Sequence, residues 1–177
     1  MGEIPRHPHF LIVGIMKAAT TTLYYHLTCH PRIMAAKYKE LHYFTRDYDI
    51  RIPNETWGMD YGEMLNVNPD AGDVLYGEAS PSYIQPPERI HAYNPDCKII
   101  ITLRNPVDRA ISQMRHNQEH QFRLPPQGYM KLLQDTFDLS QIDVVYDSFY
   151  HDRLERFAQT FPAKNLLVVS YEAFIAN

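Results

Sequence analysis

The stretch Gly14-Ile15-Met16-Lys17-Ala18-Ala19-Thr20-Thr21-Thr22 sets one cation and three hydroxyls directly behind the apolar run of residues 10–13. With a buried strand over that run and a helix over residues 20–29, the turn between them aims free backbone N–H groups at one point. Lys17 adds a full positive charge and Thr20, Thr21 and Thr22 add hydroxyl donors, so an anion is the natural occupant. For this segment taken alone, a solvated lysine in a capped turn is an equally good account. The common nucleoside-triphosphate loop places its lysine directly after the last glycine and before Ser or Thr. Here Lys17 stands three residues after Gly14, and Ala18 and Ala19 separate it from Thr20. A kinase or GTPase loop is therefore the weaker fit.

A second group of the same kind is Leu103-Arg104-Asn105-Pro106-Val107-Asp108-Arg109-Ala110-Ile111-Ser112. Arg104 ends the apolar run of residues 98–103, and ligands of parallel sheets bind at that end of a strand. Ser112 lies about two helical turns further on, so both reach one phosphate if the strand-to-helix turn folds back. A structural ion pair is the alternative for Arg104. For Arg109, beside Asp108, a pair with that residue or the nearby surface is the favoured reading.

The elements that must position these groups follow from pattern and punctuation. Residues 10–13, 74–76, 98–103 and 166–169 read as strands, the first and third as continuous apolar runs of the interior type. Residues 20–29 read as a helix, with Leu23 and Leu27 on one face and His30-Pro31 as its stop. Pro86 and Pro87 open a short helix over 88–93, and Asn105 caps another over 106–119 with Pro106 at its first position. Residues 147–161 carry Tyr150, Leu154 and Phe157 at helical spacing. Residues 45–72, punctuated by Pro53, Gly58, Gly62, Pro69 and Gly72, read as irregular with short helical pieces, and 121–146 as an excursion. Strands alternating with helices predict an α/β fold, a P-loop-like three-layer arrangement around a central mostly parallel sheet. A turn or helix opens at Tyr171-Glu172 just before the last residue, Asn177, so the expectation is one domain over 1–177 that is truncated at its C-terminal end.

Bulk properties narrow the class. A chain of 177 residues with 45% hydrophobic residues can bury one core. Its net charge of -4 argues against a general nucleic-acid binder, while leaving room for a local basic cleft. The two cysteines, Cys29 and Cys97, have no metal-ligand spacing and are expected as reduced core thiols. No window approaches a membrane span, and residues 1–8 lack the apolar stretch of a signal peptide. Asn54-Glu55-Thr56 is a formal glycosylation acceptor.

Taken together, the two anion-directed segments resemble the sulfotransferase family. The family's 5'-phosphosulfate loop resembles residues 10–23, and its 3'-phosphate motif resembles residues 103–112. Lys39-Glu40-Leu41-His42-Tyr43-Phe44 is similar to the Lys-Glu-x-x-x-Phe stretch of the carbohydrate, heparan-sulfate-like branch, and Gly77-Glu78-Ala79-Ser80-Pro81-Ser82-Tyr83 to that branch's next segment. Residues 150–161 and 166–172 continue the likeness, and the motifs occur in the family's order.

The resemblance implies a donor, 3'-phosphoadenylyl sulfate (PAPS), with no metal, and direct in-line transfer to a carbohydrate or other hydroxyl or amine acceptor. Lys17 would contact the 5'-phosphate and the bridging oxygen. Backbone groups of Ala18, Ala19, Thr20 and Thr21, with the threonine hydroxyls and Thr22 beside them, would complete the cradle. Arg104 and Ser112 would hold the 3'-phosphate. Glu40 would be the general base, its pKa open to being raised by burial, with an ion pair to Lys37 or Lys39 as the other reading. His42 would assist the chemistry, orient the acceptor, or pack in an aromatic cluster. Glu78 would contact the acceptor or Lys17, or make a buried structural hydrogen bond. The aromatic residues Tyr24, Tyr25, Tyr43 and Phe44 would line an acceptor pocket or, for most of them, pack the core.

Three departures stand out. The family has glycine where Ala19 stands, which matters if that backbone needs positive φ. Some members of the branch carry lysine at Ala79, and an acid at Thr45. A P-loop phosphotransferase and an inactive sulfotransferase-like binding protein are the competing readings. A luminal Golgi site would suit a eukaryotic glycan enzyme, and a cytoplasmic one a bacterial enzyme.

Overall fold

A computed structural model of the chain describes residues 7–45, 59–68, 72–119 and 143–176. Its centre is a five-stranded, wholly parallel sheet: β1 (Phe10–Gly14), β2 (Ile33–Ala35), β3 (Leu75–Ala79), β4 (Lys98–Leu103) and β5 (Leu166–Ser170), in the order β2-β3-β1-β4-β5. The apolar run at residues 10–13 becomes the middle strand, buried over all five residues of β1. Successive side chains of a strand face opposite ways. Leu11 and Val13 accordingly join Ile99 and Ile101 in one core, while Phe10 and Ile12 join Ile100 in the other. Helix α1 (Thr20–Thr28) covers the second core through Leu23, Tyr24 and Leu27. After the short α2 (Tyr61–Met64), α3 (Pro87–Tyr93) brings Ile90 to the first core. The sheet thus lies between two helical layers.

Three details anchor these layers. The Tyr24 hydroxyl donates to Gly77 O (3.2 Å) and accepts from the Ala36 N–H (2.9 Å), pinning α1 to the β2–β3 side. Gly77 makes room for the Phe10 ring, since a Cβ there would stand 2.4 Å from ring carbons. Asn105 caps α4 (Pro106–Glu119), its Oδ1 accepting from the N–H groups of Val107 (3.0 Å) and Asp108 (3.3 Å).

Several expectations need correction. The helix predicted over 147–161 starts later, as α6 (His151–Thr160), and a separate short helix, α5 (Asp143–Tyr146), stands at the end of the stretch read as an excursion. Between them the Asp147 carboxylate accepts from Arg153 (2.8 Å) and the Ser148 hydroxyl from Arg109 (2.7 Å), while that hydroxyl donates to Val144 O (3.4 Å), a side-chain-to-backbone bond of the kind that competes with helical backbone. The predicted face survives the break, with Phe157 buried and Tyr150 and Leu154 packed on the same core. Residues 77–79, expected after a strand, lie within β3. Strand β2 went unpredicted because three residues are too few to show a period. Both cysteines are free, but Cys29 is exposed, and only Cys97 is a core thiol. The last helix, α7 (Tyr171–Ile175), follows β5, whose Leu167 and Val168 are exposed. Asn54-Glu55-Thr56 and most of 121–146 lie outside the described residues.

Candidate active site

Parallel strands deliver their C-terminal loops to one edge of the sheet. Segments that follow all five strands meet there, around a cavity of about 460 Å³.

The β1 loop leaves the strand at Gly14, where φ is +148° and a Cβ would press on Pro81 O at 3.1 Å. Thr102 anchors the exit, accepting the Ile15 N–H (2.9 Å) and donating its hydroxyl to Gly14 O (3.0 Å). Lys17 (φ 68°) and Ala19 (φ 60°) then take left-handed backbone, a region that disfavours a Cβ. This settles the conditional raised by Ala19: the position is one where glycine is at ease and alanine is strained. Lys17, Ala19, Thr20, Thr21 and Thr22 line the cavity. Ala18 does not. It is fully buried, and its N–H is committed to Ile15 O (3.1 Å), so it offers nothing to a ligand. At the start of α1 the N–H groups of Thr20, Thr21 and Thr22 find no backbone acceptor among the described residues, as expected of a first helical turn.

The Lys17 ammonium is held below its usual range by burial, first of all. Glu119 opposes this, Arg104 adds to it, and Glu40 opposes it. Arg104 donates to Lys17 O (3.1 Å) and stacks over the Tyr171 ring (4.3 Å), while its Nε is buried with no partner among the described residues. A guanidinium that fixes the lysine loop and also lines the cavity fits an anionic ligand.

Glu40 lines the same cavity, with Lys39 Nζ 2.5 Å from its Oε1 and His42 Nε2 3.4 Å from its Oε2. Burial alone would raise this carboxyl. The hydrogen bonds from His42 and Lys39 overcome it and hold the group at about 2, the reverse of the shift that burial suggested. Both Glu40 (φ 63°) and His42 (φ 52°) have left-handed backbone. His42 is buried behind Glu40, its Nδ1 2.9 Å from Ser82 Oγ, and is not a cavity-lining residue.

Glu78 lies away from the cavity, fully buried in β3. Its carboxylate accepts from Ser80 Oγ (2.8 Å), Tyr61 OH (3.2 Å) and the Leu41 N–H (3.3 Å). Burial pushes it up, and these donors together with Tyr83 pull it back. It touches neither Lys17 nor the cavity, so of its alternatives the structure contains the buried hydrogen bond. Thr45 donates to His42 O (3.2 Å), and Ala79 packs among Phe10, Ile12 and Tyr24.

On α4, Ser112 is half-buried and is not brought to the cavity wall; His116, one turn later on the same face, is. Arg109 pairs with neither Asp108 nor the surface. It is fully buried, donating to Ser148 Oγ (2.7 Å) and to Val144 O. Tyr171 and Ile175, four apart on α7, also line the cavity. Sequence reasoning missed these three, although the four-residue step from Ser112 was available for His116. The suggested aromatic lining is packing: Tyr43 and Phe44 cluster with Tyr61 and Tyr93, Tyr24 is buried, and Tyr25 is exposed away from the cavity.

A parallel α/β sheet with a lysine loop, an arginine and a carboxylate gathered at its C-terminal edge makes a scaffold suited to holding an anionic ligand. The chain belongs to the sulfotransferase family, whose domain profile matches residues 7–177. It is 31% identical over 179 residues to human (Homo sapiens) heparan sulfate glucosamine 3-O-sulfotransferase 6, covering 97% of this chain and 49% of that protein. The chain therefore spans about half the length of that curated relative. A sulfotransferase from Alicyclobacillus acidocaldarius superposes with a TM-score of 0.75 at 27% identity, over 97% of this chain and 76% of its own. The sulfotransferase domain of the curacin biosynthetic pathway, 15% identical, shares the fold with a TM-score of 0.64 over 97% of this chain and 69% of its own.

Proposed function

We propose that the chain transfers a sulfonyl group from PAPS to a hydroxyl acceptor, on a carbohydrate. The observation that carries this reading is one cavity lined together by Lys17, Arg104, the start of α1 and Glu40. The loop of residues 14–22 acts as a P-loop-like cradle. Open N–H groups and hydroxyls of Thr20, Thr21 and Thr22 take the 5'-phosphate, and Lys17 offsets charge on the leaving oxygen. Arg104 takes the 3'-phosphate through donors its protein contacts leave over. Glu40 receives the acceptor's proton as the new O–S bond forms and the S–O bond to the phosphate breaks. Its low pKa keeps it ionised and ready at neutral pH. Displacement of Lys39 from Oε1 would free a lone pair and restore basicity. The carbohydrate assignment is supported by the heparan sulfate relative and by the Lys39-to-Phe44 stretch.

Calorimetric titration with 3'-phosphoadenosine 5'-phosphate tests the donor side. Lys17→Ala and Arg104→Ala are each expected to weaken binding at least tenfold, and unchanged affinity in folded variants overturns the reading. Sulfonyl transfer to heparan-type oligosaccharides tests the rest. Donor binding without any transfer would assign the chain to a sulfotransferase-like binding protein instead.

A further inference from the structure

We infer that Glu78 is a positioning residue, whose buried carboxylate holds the backbone of the loop carrying Glu40 and His42 and thereby sets where the base stands in the cavity. This rests on the reading of Glu40 as the base.

Three consecutive N–H groups of that loop end on the one carboxylate. Leu41 N–H reaches Glu78 Oε2 directly (3.3 Å). His42 N–H donates to Ser80 Oγ (3.2 Å), which passes its own proton to Glu78 Oε2 (2.8 Å). Tyr43 N–H donates to Tyr83 OH (2.7 Å), and that hydroxyl also bonds the Glu78 carboxylate. A hydroxyl has one proton and two lone pairs, so Ser80 and Tyr83 can accept from the loop only while their protons are spent elsewhere. The group that receives those protons is the Glu78 carboxyl, through its acceptor oxygens. Tyr61 OH (3.2 Å) occupies Oε1 as well, so both oxygens are engaged.

The placement explains why the loop keeps its shape. Leu41, the directly held residue, lies between two residues in left-handed backbone, Glu40 and His42. Unrestrained, a non-glycine residue leaves that region, and a turn of φ at residue 40 swings its carboxylate away from the cavity. Glu78 itself cannot drift, since its backbone is in β3, in register with Leu11 of the central strand. A group of this geometry, buried and with no contact to the cavity, acts on the reaction only through the loop it holds.

The test is Glu78→Gln, whose NH2 meets donors where an acceptor stood. Amide hydrogen exchange followed by NMR should show Leu41, His42 and Tyr43 speeding at least tenfold relative to the β4 amides of Ile99 and Ile101. The turnover number should fall about a hundredfold, the scale of a 1 Å misplacement, with affinity for 3'-phosphoadenosine 5'-phosphate within twofold of wild type. Unchanged loop exchange overturns the inference, and so does equal acceleration in loop and β4, which marks a residue of stability alone. If the Gln variant does not fold, Ser80→Ala should speed exchange at His42 and Tyr83→Phe at Tyr43; no local acceleration in either overturns it. Full activity in Glu40→Gln would remove the base assignment while the exchange data still decide what Glu78 does.

Discussion

The two loops that bring Lys17 and Glu40 to one cavity solve opposite problems with the same backbone device. Each contains two non-glycine residues at positive φ, Lys17 and Ala19 in one and Glu40 and His42 in the other. In the lysine loop the strained turn leaves N–H groups of the following helix start without a backbone acceptor among the described residues. In the carboxylate loop the N–H groups of Leu41, His42 and Tyr43 are all taken by side chains from residues 78–83. Strain therefore does not announce one function. An open loop offers its backbone to a ligand, whereas a closed one offers only a side chain, here that of Glu40.

Substitutions can break that contrast in order of size. Glu40→Gln should cut transfer by about a hundred- to ten-thousandfold, the range for losing a general base, with donor affinity intact by calorimetry. Lys17→Ala should weaken donor binding about ten- to a hundredfold, the scale of hydrogen bonds to charged groups. Ser80→Ala strands the His42 N–H and should cost about 1–3 kcal/mol of stability in denaturant unfolding, with no change in donor affinity. Glu40 also leaves a signature in acid. Its folded pKa of about 2 lies below the unfolded value, so its stabilisation is present above the ordinary glutamate range and is lost as pH falls through about 2. The stability gap between wild type and Glu40→Gln, measured by urea unfolding, should therefore be full at pH 6 and close toward pH 2. The smallest effect is Ala19→Gly. Relief of left-handed strain, about 1–2 kcal/mol, is set against about 0.4–1 kcal/mol of added unfolded-chain entropy, for a net gain near 1 kcal/mol or less in thermal unfolding.

Legibility in the sequence followed how local each signal is. The run at 98–103 and the Asn105-Pro106 start of α4 carry their structure within a few residues, and both stand where pattern placed them. The break at 147–150 depends on Arg109 and Arg153, side chains whose reach no period of hydrophobicity encodes. The gathering of Lys17, Arg104 and Glu40 was expected from motif order, and the fold brings all three to one cavity. Ser112 and Glu78 show the limit. Helical spacing allowed Ser112 near the cavity but could not fix which turn of α4 faces it. A carboxylate next to Gly77 could equally have pointed out of the sheet as into it. The sign of the Glu40 shift was hidden for a like reason, because it depends on His42 and Lys39 closing on the carboxylate in three dimensions.

The mutual satisfaction of residues 41–43 and residues 78–83 has a consequence for engineering. The two stretches form a matched cassette: replacing either alone leaves buried donors or acceptors unmatched, whereas exchanging both together carries the bonds between them, with Tyr61 and Thr45 the outside partners to keep. The lysine loop sits on the neighbouring strand, one sheet spacing of about 4.8 Å away, and shares none of these bonds. A chimera that takes both stretches from another member of the family should thus change what is recognised on the carboxylate side while its grip on the nucleotide stays in place.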